Sequence, residues 1–252
     1  MFGQNKIYCI AGKNQCGINF LQYISSKINK NKILILPNDN DIGKDNWQPS
    51  LKKYAIKNKY KIVNIKDVYK IKNLILISIE YEHLIKVNKF ISNELFNFHF
   101  SLLPKYRGCH TNFFQIYNGE KYSGVTLHKI DKGIDTGPII DQIKFKININ
   151  TNAYDNYFIL MNNSLRLLKK NFNNISKKKY KTTVQKLDKG SYYSKKSVNY
   201  DKMKIFEIDK INLTNFNKIK AFIFPPFQLP IVNKKKVTNI KYTMKKFRIF
   251  YD

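Results

Sequence analysis

Residues 97–137 read NFHFSLLPKYRGCHTNFFQIYNGEKYSGVTLHKIDKGIDTG, and the rest of the chain is organised around this stretch. It continues an extended, aromatic-rich run, Leu95-Phe96-Asn97-Phe98-His99-Phe100, in which Asn97 and His99 stand two apart. Successive strand side chains point to opposite faces, so this amide and this imidazole share one. Ser101 to Gly108 reads as a turn-rich loop, with Pro104 fixing its own φ and Gly108 permitting a tight bend. Gly124-Val125-Thr126-Leu127-His128 is a second strand, and Asp131 to Gly137 a polar loop. Asn97, His99 and Asp135 thereby fall on strand ends and loops, where binding and catalytic groups concentrate.

Outward toward the N-terminus, Ile7 to Ala11 is a short apolar strand. Ile18, Leu21, Ile24 and Ile28 then recur at helical spacing, and Ile33-Leu34-Ile35-Leu36 is a continuous apolar run ended by Pro37. Such a run suits a parallel strand buried on both faces, so the chain opens as βαβ, the start of a Rossmann-like sheet. Gly12 and Gly17 do not complete a dinucleotide fingerprint. A loop cradling an anion through Lys13 and Asn14 and a plain strand-to-helix turn fit equally well here. Asn46-Trp47-Gln48-Pro49-Ser50 is a polar loop whose Ser50 is placed to cap a helix from Leu51 to Lys59. Trp47 suits core packing or stacking on a ligand. Lys61 to Ile65 and Leu74 to Ile79 supply two more strands.

Downstream, Ile139 to Ile147 alternates like a strand with one solvated face. A helix from Ala153 to Phe172 carries Tyr157, Phe158, Met161, Leu165, Leu168 and Phe172 on one core-facing stripe. Gly190-Ser191-Tyr192-Tyr193 is loop-like, and Lys218 to Ala221 closes a short helix. Phe222-Ile223-Phe224-Pro225-Pro226-Phe227-Gln228 is an aromatic-proline corner that cannot be helical. Ile231-Val232 and Val237 to Tyr242 then form a hairpin around a basic turn, and an isolated hairpin needs a partner. The expectation is an α/β, Rossmann-like, mostly parallel domain over residues 1–185, with an extension over residues 186–252 carrying the corner and the hairpin.

Composition narrows the function classes. Lysine and arginine total 46 against 17 acidic residues, a formal net charge of +29. Dense positive charge suits nucleic acid or an anionic membrane. Yet arginine, the better phosphate reader, stands only at Arg107, Arg166 and Arg248, and the lysines are dispersed among over-used Asn, Ile, Tyr and Phe. Compositional drift is the favoured reading, without nucleic acid as a partner. No apolar run is long enough to span a bilayer, and the N-terminus lacks a signal-peptide pattern. Cys9, Cys16 and Cys109 lack metal-like spacing, which favours a reducing cytoplasm. No His-x-x-x-His or Cys-x-x-Cys pair exists, so no metal site is expected.

The ordered series Asn97-x-His99, Ser101-Leu102-Leu103-Pro104-x-Tyr106-Arg107-Gly108 and Asp131-x-Gly133-x-Asp135-Thr136-Gly137 resembles the N10-formyltetrahydrofolate-dependent formyltransferases. The resemblance implies that Asn97, His99 and Asp135 carry catalysis, and that Tyr81, His83, Leu84, Ile85 and Asp131 face the folate cosubstrate. Trp47-Gln48-Pro49-Ser50 and the Phe224-Pro225-Pro226-Phe227 corner are similar to the branch that formylates dTDP-linked amino-dideoxy sugars. That branch, and within it the 4-amino-4,6-dideoxyglucose enzymes of lipopolysaccharide O-antigen synthesis, implies a dTDP-amino sugar acceptor and a homodimer. Substrate contacts then fall to Lys13, Asn14, Trp47, Phe224 and Phe227. A transfer-RNA formyltransferase with a shortened tail is the alternative. In the implied reaction His99 accepts the amine's proton or, protonated, stabilises the oxyanion. Asn97 donates to that oxyanion, and Asp135 supports His99.

Overall fold

The structure, a computed structural model, describes residues 5–252. The first half runs β1 (Ile7–Gly12), α1 (Asn14–Ser25), β2 (Ile33–Pro37), α2 (Leu51–Lys57), β3 (Lys61–Ile62), α3 (Ile65–Val68), β4 (Leu74–Ile79) and β5 (Leu95–His99). It continues through β6 (Arg107–Gly108), α4 (Thr111–Tyr117), β7 (Tyr122–Lys129), β8 (Ile139–Lys146) and α5 (Ala153–Lys177). The remainder is β9 (Tyr192–Tyr193), α6 (Tyr200–Met203), β10 (Ile205–Phe206), α7 (Leu213–Ala221), β11 (Ile231–Val232), β12 (Lys235–Thr243) and β13 (Lys246–Tyr251).

Seven strands form the central sheet in the order β3-β2-β1-β4-β5-β7-β8. The first five are parallel, and β7 and β8 add antiparallel at one edge. Apolar runs such as Ile33 to Leu36 are continuous because the parallel strands are covered on both faces. Tyr8, Ile10, Ile33, Ile35, Phe96 and Phe98 meet α1, α2 and α5 on one side. Cys9, Ala11, Leu34, Leu36 and Leu76 meet Val63, Val68 and Ile85 on the other.

Helix starts follow their caps. Ser50 accepts a hydrogen bond from Lys53 N at 2.9 Å, and Asn152 from Asp155 N at 2.8 Å. On α5, Tyr157, Met161, Leu168 and Phe172 are buried, while Phe158 and Leu165 are partly buried against the same core. The helix outruns its expected end at Phe172 because Ile175 continues the buried stripe through a polar sequence. The strand expected over Lys61 to Ile65 stops at Ile62, where Asn64 and Asp67 form a capping box that starts α3 instead.

The C-terminal segment departs further from expectation. Tyr192-Tyr193, read as loop, is a strand lying parallel to Arg107-Gly108. Gly108 has φ of +88°, and a Cβ there would meet Tyr193 O at 2.3 Å, so only glycine admits this pairing. The expected pairing of Ile231-Val232 is present, but its partner starts earlier, at Lys235. A longer hairpin then joins β12 to β13. Both turns place two residues at positive φ, Asn233-Lys234 and Met244-Lys245. That is the geometry Asn-Gly ordinarily signals, and Met-Lys hides it. The hairpin finds its apolar partner within the chain: Val237 and Ile240 pack against Phe216 and Ile219 of α7.

A carboxylate hub in a cleft: the candidate active site

Strand order reverses at β1, with β2 on one side and β4 on the other. In such sheets ligands occupy the crevice beyond the carboxyl ends of the strands at the reversal. The segments leaving those ends carry Lys13 after β1, Glu80 to Ile85 after β4, and Phe100 to His110 after β5. A cavity of about 460 Å³ lies there, lined by Lys13, Glu80, Asn97, His99, His128 and Asp135 among others.

Asn97 and His99 share a face of β5, and the antiparallel register sets His128 opposite Asn97 and Thr126 opposite His99. The loop after β7 brings Asp135 over this face in a left-handed conformation, φ +53°. Its carboxylate is the hub. Oδ1 accepts from Asn97 Nδ2 at 3.2 Å and lies 3.5 Å from His128 Nε2. Oδ2 accepts from Gly108 N at 2.9 Å and lies 3.4 Å from His99 Nδ1. Burial alone would raise this carboxyl; the facing His99 and His128 rings and the Gly108 N–H outweigh it and hold it well below the usual carboxylate range. His99 is pinned from its far side, where Nε2 donates to Tyr106 O at 2.7 Å.

The residues expected to face folate divide. Tyr81, His83, Leu84, Ile85 and Asp131 all line the cavity. Ile85 is buried and Leu84 is 55 % exposed, so these neighbours present opposite faces. His83 is exposed and paired with Asp39 at 2.8 Å. Asp131 organises its own loop, accepting from Gly133 N at 3.1 Å and Thr136 Oγ1 at 2.7 Å.

Among the residues expected to contact the acceptor, only Lys13 lines this cavity; Asn14, Trp47, Phe224 and Phe227 do not. Trp47, Phe224 and Phe227 instead assemble beside it, with Trp47 5.4 Å from Phe224 and 5.3 Å from Phe227 between ring centroids. Phe224 is 7 % exposed and belongs to the main core, which favours its packing role. Phe227 is 65 % exposed and offers a ring face to solvent.

Sequence reasoning passed over three groups. His128 looked like an ordinary strand residue, and only the β5–β7 register reveals its place. Tyr157 was counted as core, yet its hydroxyl donates to Glu80 Oε2 at 2.8 Å and lines the cleft. Gln48 in turn donates to Tyr157 Oη at 3.0 Å, so the Trp47-Gln48 loop is wired to the cavity through α5.

A profile of the formyl transferase domain matches residues 23–158, more than half of the chain. The chain belongs to the formyl transferase family. Among solved structures this formyltransferase is similar to WlaRD, described as a sugar 3N-formyl transferase in the presence of dTDP and 5-N-formyl-THF. The TM-score is 0.88 and the identity 42 %, over 96 % of this chain and 88 % of that one. An N-formyltransferase of Helicobacter canadensis, in complex with folinic acid and dTDP-3-aminofucose, also gives 0.88 and 42 %, over 94 % and 88 % of the two chains. The bifunctional polymyxin resistance protein ArnA of Wigglesworthia glossinidia brevipalpis is 33 % identical over 190 residues, 70 % of this chain but 28 % of its own length. The chain thus spans less than half the length of the first curated relatives it matches.

Proposed function

We propose that this formyltransferase moves the formyl group of N10-formyltetrahydrofolate onto the amino group of a dTDP-linked amino-dideoxy sugar. One observation carries the reading. Asn97, His99 and His128 converge on the Asp135 carboxylate inside a cleft, in a chain 42 % identical over nearly its whole length to proteins solved with dTDP compounds and formyl-folates. Both of those proteins are described with amines at C3, so we place the acceptor's amine there, rather than at the C4 position that the sequence resemblance suggested. Methionyl-tRNA formyltransferases are also similar, 35 % identical over 150 residues in one case, but that match covers 59 % of this chain against 96 % for WlaRD. Lipopolysaccharide O-antigen assembly is the setting that the sugar chemistry suits.

In the proposed reaction the free amine attacks the formyl carbon, forming the new C–N bond and a tetrahedral oxyanion. Asn97 donates to that oxygen, and the pinned His99 stabilises it or receives the amine's proton. Asp135 holds both groups and stabilises an imidazolium. Collapse breaks the bond to N10, which recovers a proton as tetrahydrofolate leaves. Holding the two substrates in contact supplies much of the rate. Tyr81, His83, Leu84, Ile85 and Asp131 are assigned to the folate. Lys13, Asn14, Trp47 and Phe227 are assigned to the nucleotide, and Phe224 to the packing beneath them.

Residues 1–185 form the catalytic unit in this reading, and residues 186–252 serve dimerisation and nucleotide contact. Met244, Phe250 and Tyr251 on the terminal hairpin are exposed, and this reading assigns the hairpin to contact with a second copy. No helix of the described residues is long and apolar enough to cross a membrane, in keeping with a cytoplasmic enzyme. The test incubates the protein with N10-formyltetrahydrofolate and a panel of dTDP-3-amino and dTDP-4-amino sugars, with methionyl-tRNA alongside, and identifies products by mass spectrometry. Formylated 3-amino sugar is expected. Formylated methionyl-tRNA with no formylated sugar would sink the reading.

A further inference from the structure

Glu80 is a half-buried carboxylate in the cleft that the steps above leave unused. Gly12 and Ile79 are register partners at the ends of β1 and β4, so Lys13 and Glu80 are the first residues beyond the strands on either side of the reversal. Glu80 takes a φ of +54°, a conformation that costs a non-glycine residue energy and is concentrated at functional positions. Asn38 clamps it there, donating to Glu80 O at 3.0 Å and accepting from Glu82 N at 3.3 Å. The Tyr157 hydroxyl accepts from Gln48 and therefore gives its single proton to Glu80 Oε2. Gln48 is itself held by Gln15 N at 3.2 Å. The Cys16 thiol is a second donor to this carboxylate, which accepts about four hydrogen bonds, so capacity remains.

We infer that Glu80 holds the acceptor's hexose, accepting hydrogen bonds from the amine and the hydroxyl beside it. The inference rests on the sugar reading and goes beyond it. Charge selects the occupant: dTDP is anionic at its pyrophosphate and folate at its carboxylates, so a fixed carboxylate repels both. The amino hexose is the one portion of either substrate rich in O–H and N–H donors and cationic before it reacts. An acceptor-only group anchored by tyrosine suits those donors and disfavours an acceptor lacking them. Burial holds the carboxyl above its ordinary value, outweighing Lys13, the Tyr157 hydroxyl and the Cys16 thiol, which pull it down.

Calorimetry with unreactive 5-formyl-tetrahydrofolate bound separates this idea from its foundation. The probes are dTDP, which has no hexose, and dTDP-3-amino-3,6-dideoxy sugar, titrated into wild type, Glu80→Gln and Tyr157→Phe. Glu80→Gln is expected to weaken the amino sugar about 10-fold or more, since a charge-assisted bond is lost, and to leave dTDP and the folate within about twofold. Tyr157→Phe is expected to move the same affinity in the same direction by a smaller factor, and it decides the matter if Glu80→Gln fails to fold. Equal weakening of dTDP and the sugar would make the residue structural and overturn the inference. So would a wild type that binds both equally. A wild type that binds the sugar through Glu80 yet forms no product would overturn the transfer reaction alone; one that binds neither probe would overturn both.

Discussion

Asn97 and His128 face each other across β5 and β7, with Nδ2 of the amide 3.2 Å from Nε2 of the ring. His128 Nδ1 lies 2.7 Å from Lys129 O, which can only accept, so Nδ1 carries a proton. Asn97 Nδ2 gives one N–H to Asp135 Oδ1 at 3.2 Å, and the amide keeps a second N–H for an incoming oxyanion. That bond orients the amide before any substrate arrives, which lowers reorganisation in the chemical step. Asn97→Asp replaces two donors with a carboxylate against Asp135. Turnover is expected to fall by about 10²–10³-fold, as when one oxyanion donor is removed. A steady-state assay that found near-normal kcat would remove Asn97 from the mechanism.

His99→Asn tests the imidazole. The ring sits between Tyr106 O and Asp135 and is 7 % exposed, and asparagine fits that space with a smaller polar group. Loss of a general acid–base group typically costs about 10²–10⁴-fold. Turnover should drop in that range while folate affinity by calorimetry and the urea unfolding midpoint stay near wild type. A drop in midpoint that accounts for the lost activity would reassign His99 to structure.

Much of this arrangement could be read from the chain because its signals are local. Asn97-x-His99 fixes two groups on one strand face through period-two geometry alone, and Ser50 announces its helix by side-chain chemistry. The groups that escaped depend on pairing between distant segments. His128 acquires meaning only from the β5–β7 register, and Tyr193 from its parallel pairing with Gly108. Glu80 and Tyr157 meet across 77 positions of sequence, joining a loop to a helix that looked wholly committed to the core. The β12–β13 hairpin escaped because Met244-Lys245 adopts a turn that its composition does not favour.

Phe224 and Phe227 separate packing from recognition. Their rings stack at 5.5 Å, but Phe224 is buried in the core and Phe227 is exposed. Phe224→Ala is expected to cost about 3–5 kcal/mol in urea unfolding, the usual loss for a buried phenylalanine. Phe227→Ala should cost under about 1 kcal/mol, as surface changes do. It should raise the amino-sugar KM roughly 5-fold or more, the scale of one base–aromatic stack, and spare the folate KM. An unchanged sugar KM would withdraw Phe227 from the nucleotide site.

Lys220 makes the fold's stability respond to alkaline pH. It is 3 % exposed on α7, donates to Ile149 O at 2.6 Å and lies 5.1 Å from the Phe216 ring. Burial lowers its ammonium from 10.5 to about 8. Glu120, Lys121 and Lys146 line the cleft beside it. Because the folded value lies below the unfolded one, the unfolded chain binds more protons between about pH 8 and 10.5, and stability gained from this group rises across that window. Below about pH 8 the fold bears the cost of a buried charge, an upper bound of about 3 kcal/mol. Lys220→Met removes that charge while keeping the length of the side chain. Urea unfolding at about pH 7 and about pH 10 should show the wild type gaining on the variant as pH rises. Other lysines titrate in both proteins, so only the difference between them reports Lys220. Two curves that stay parallel over this range would mean that the ammonium is not desolvated as its position between Phe216 and Ile149 requires.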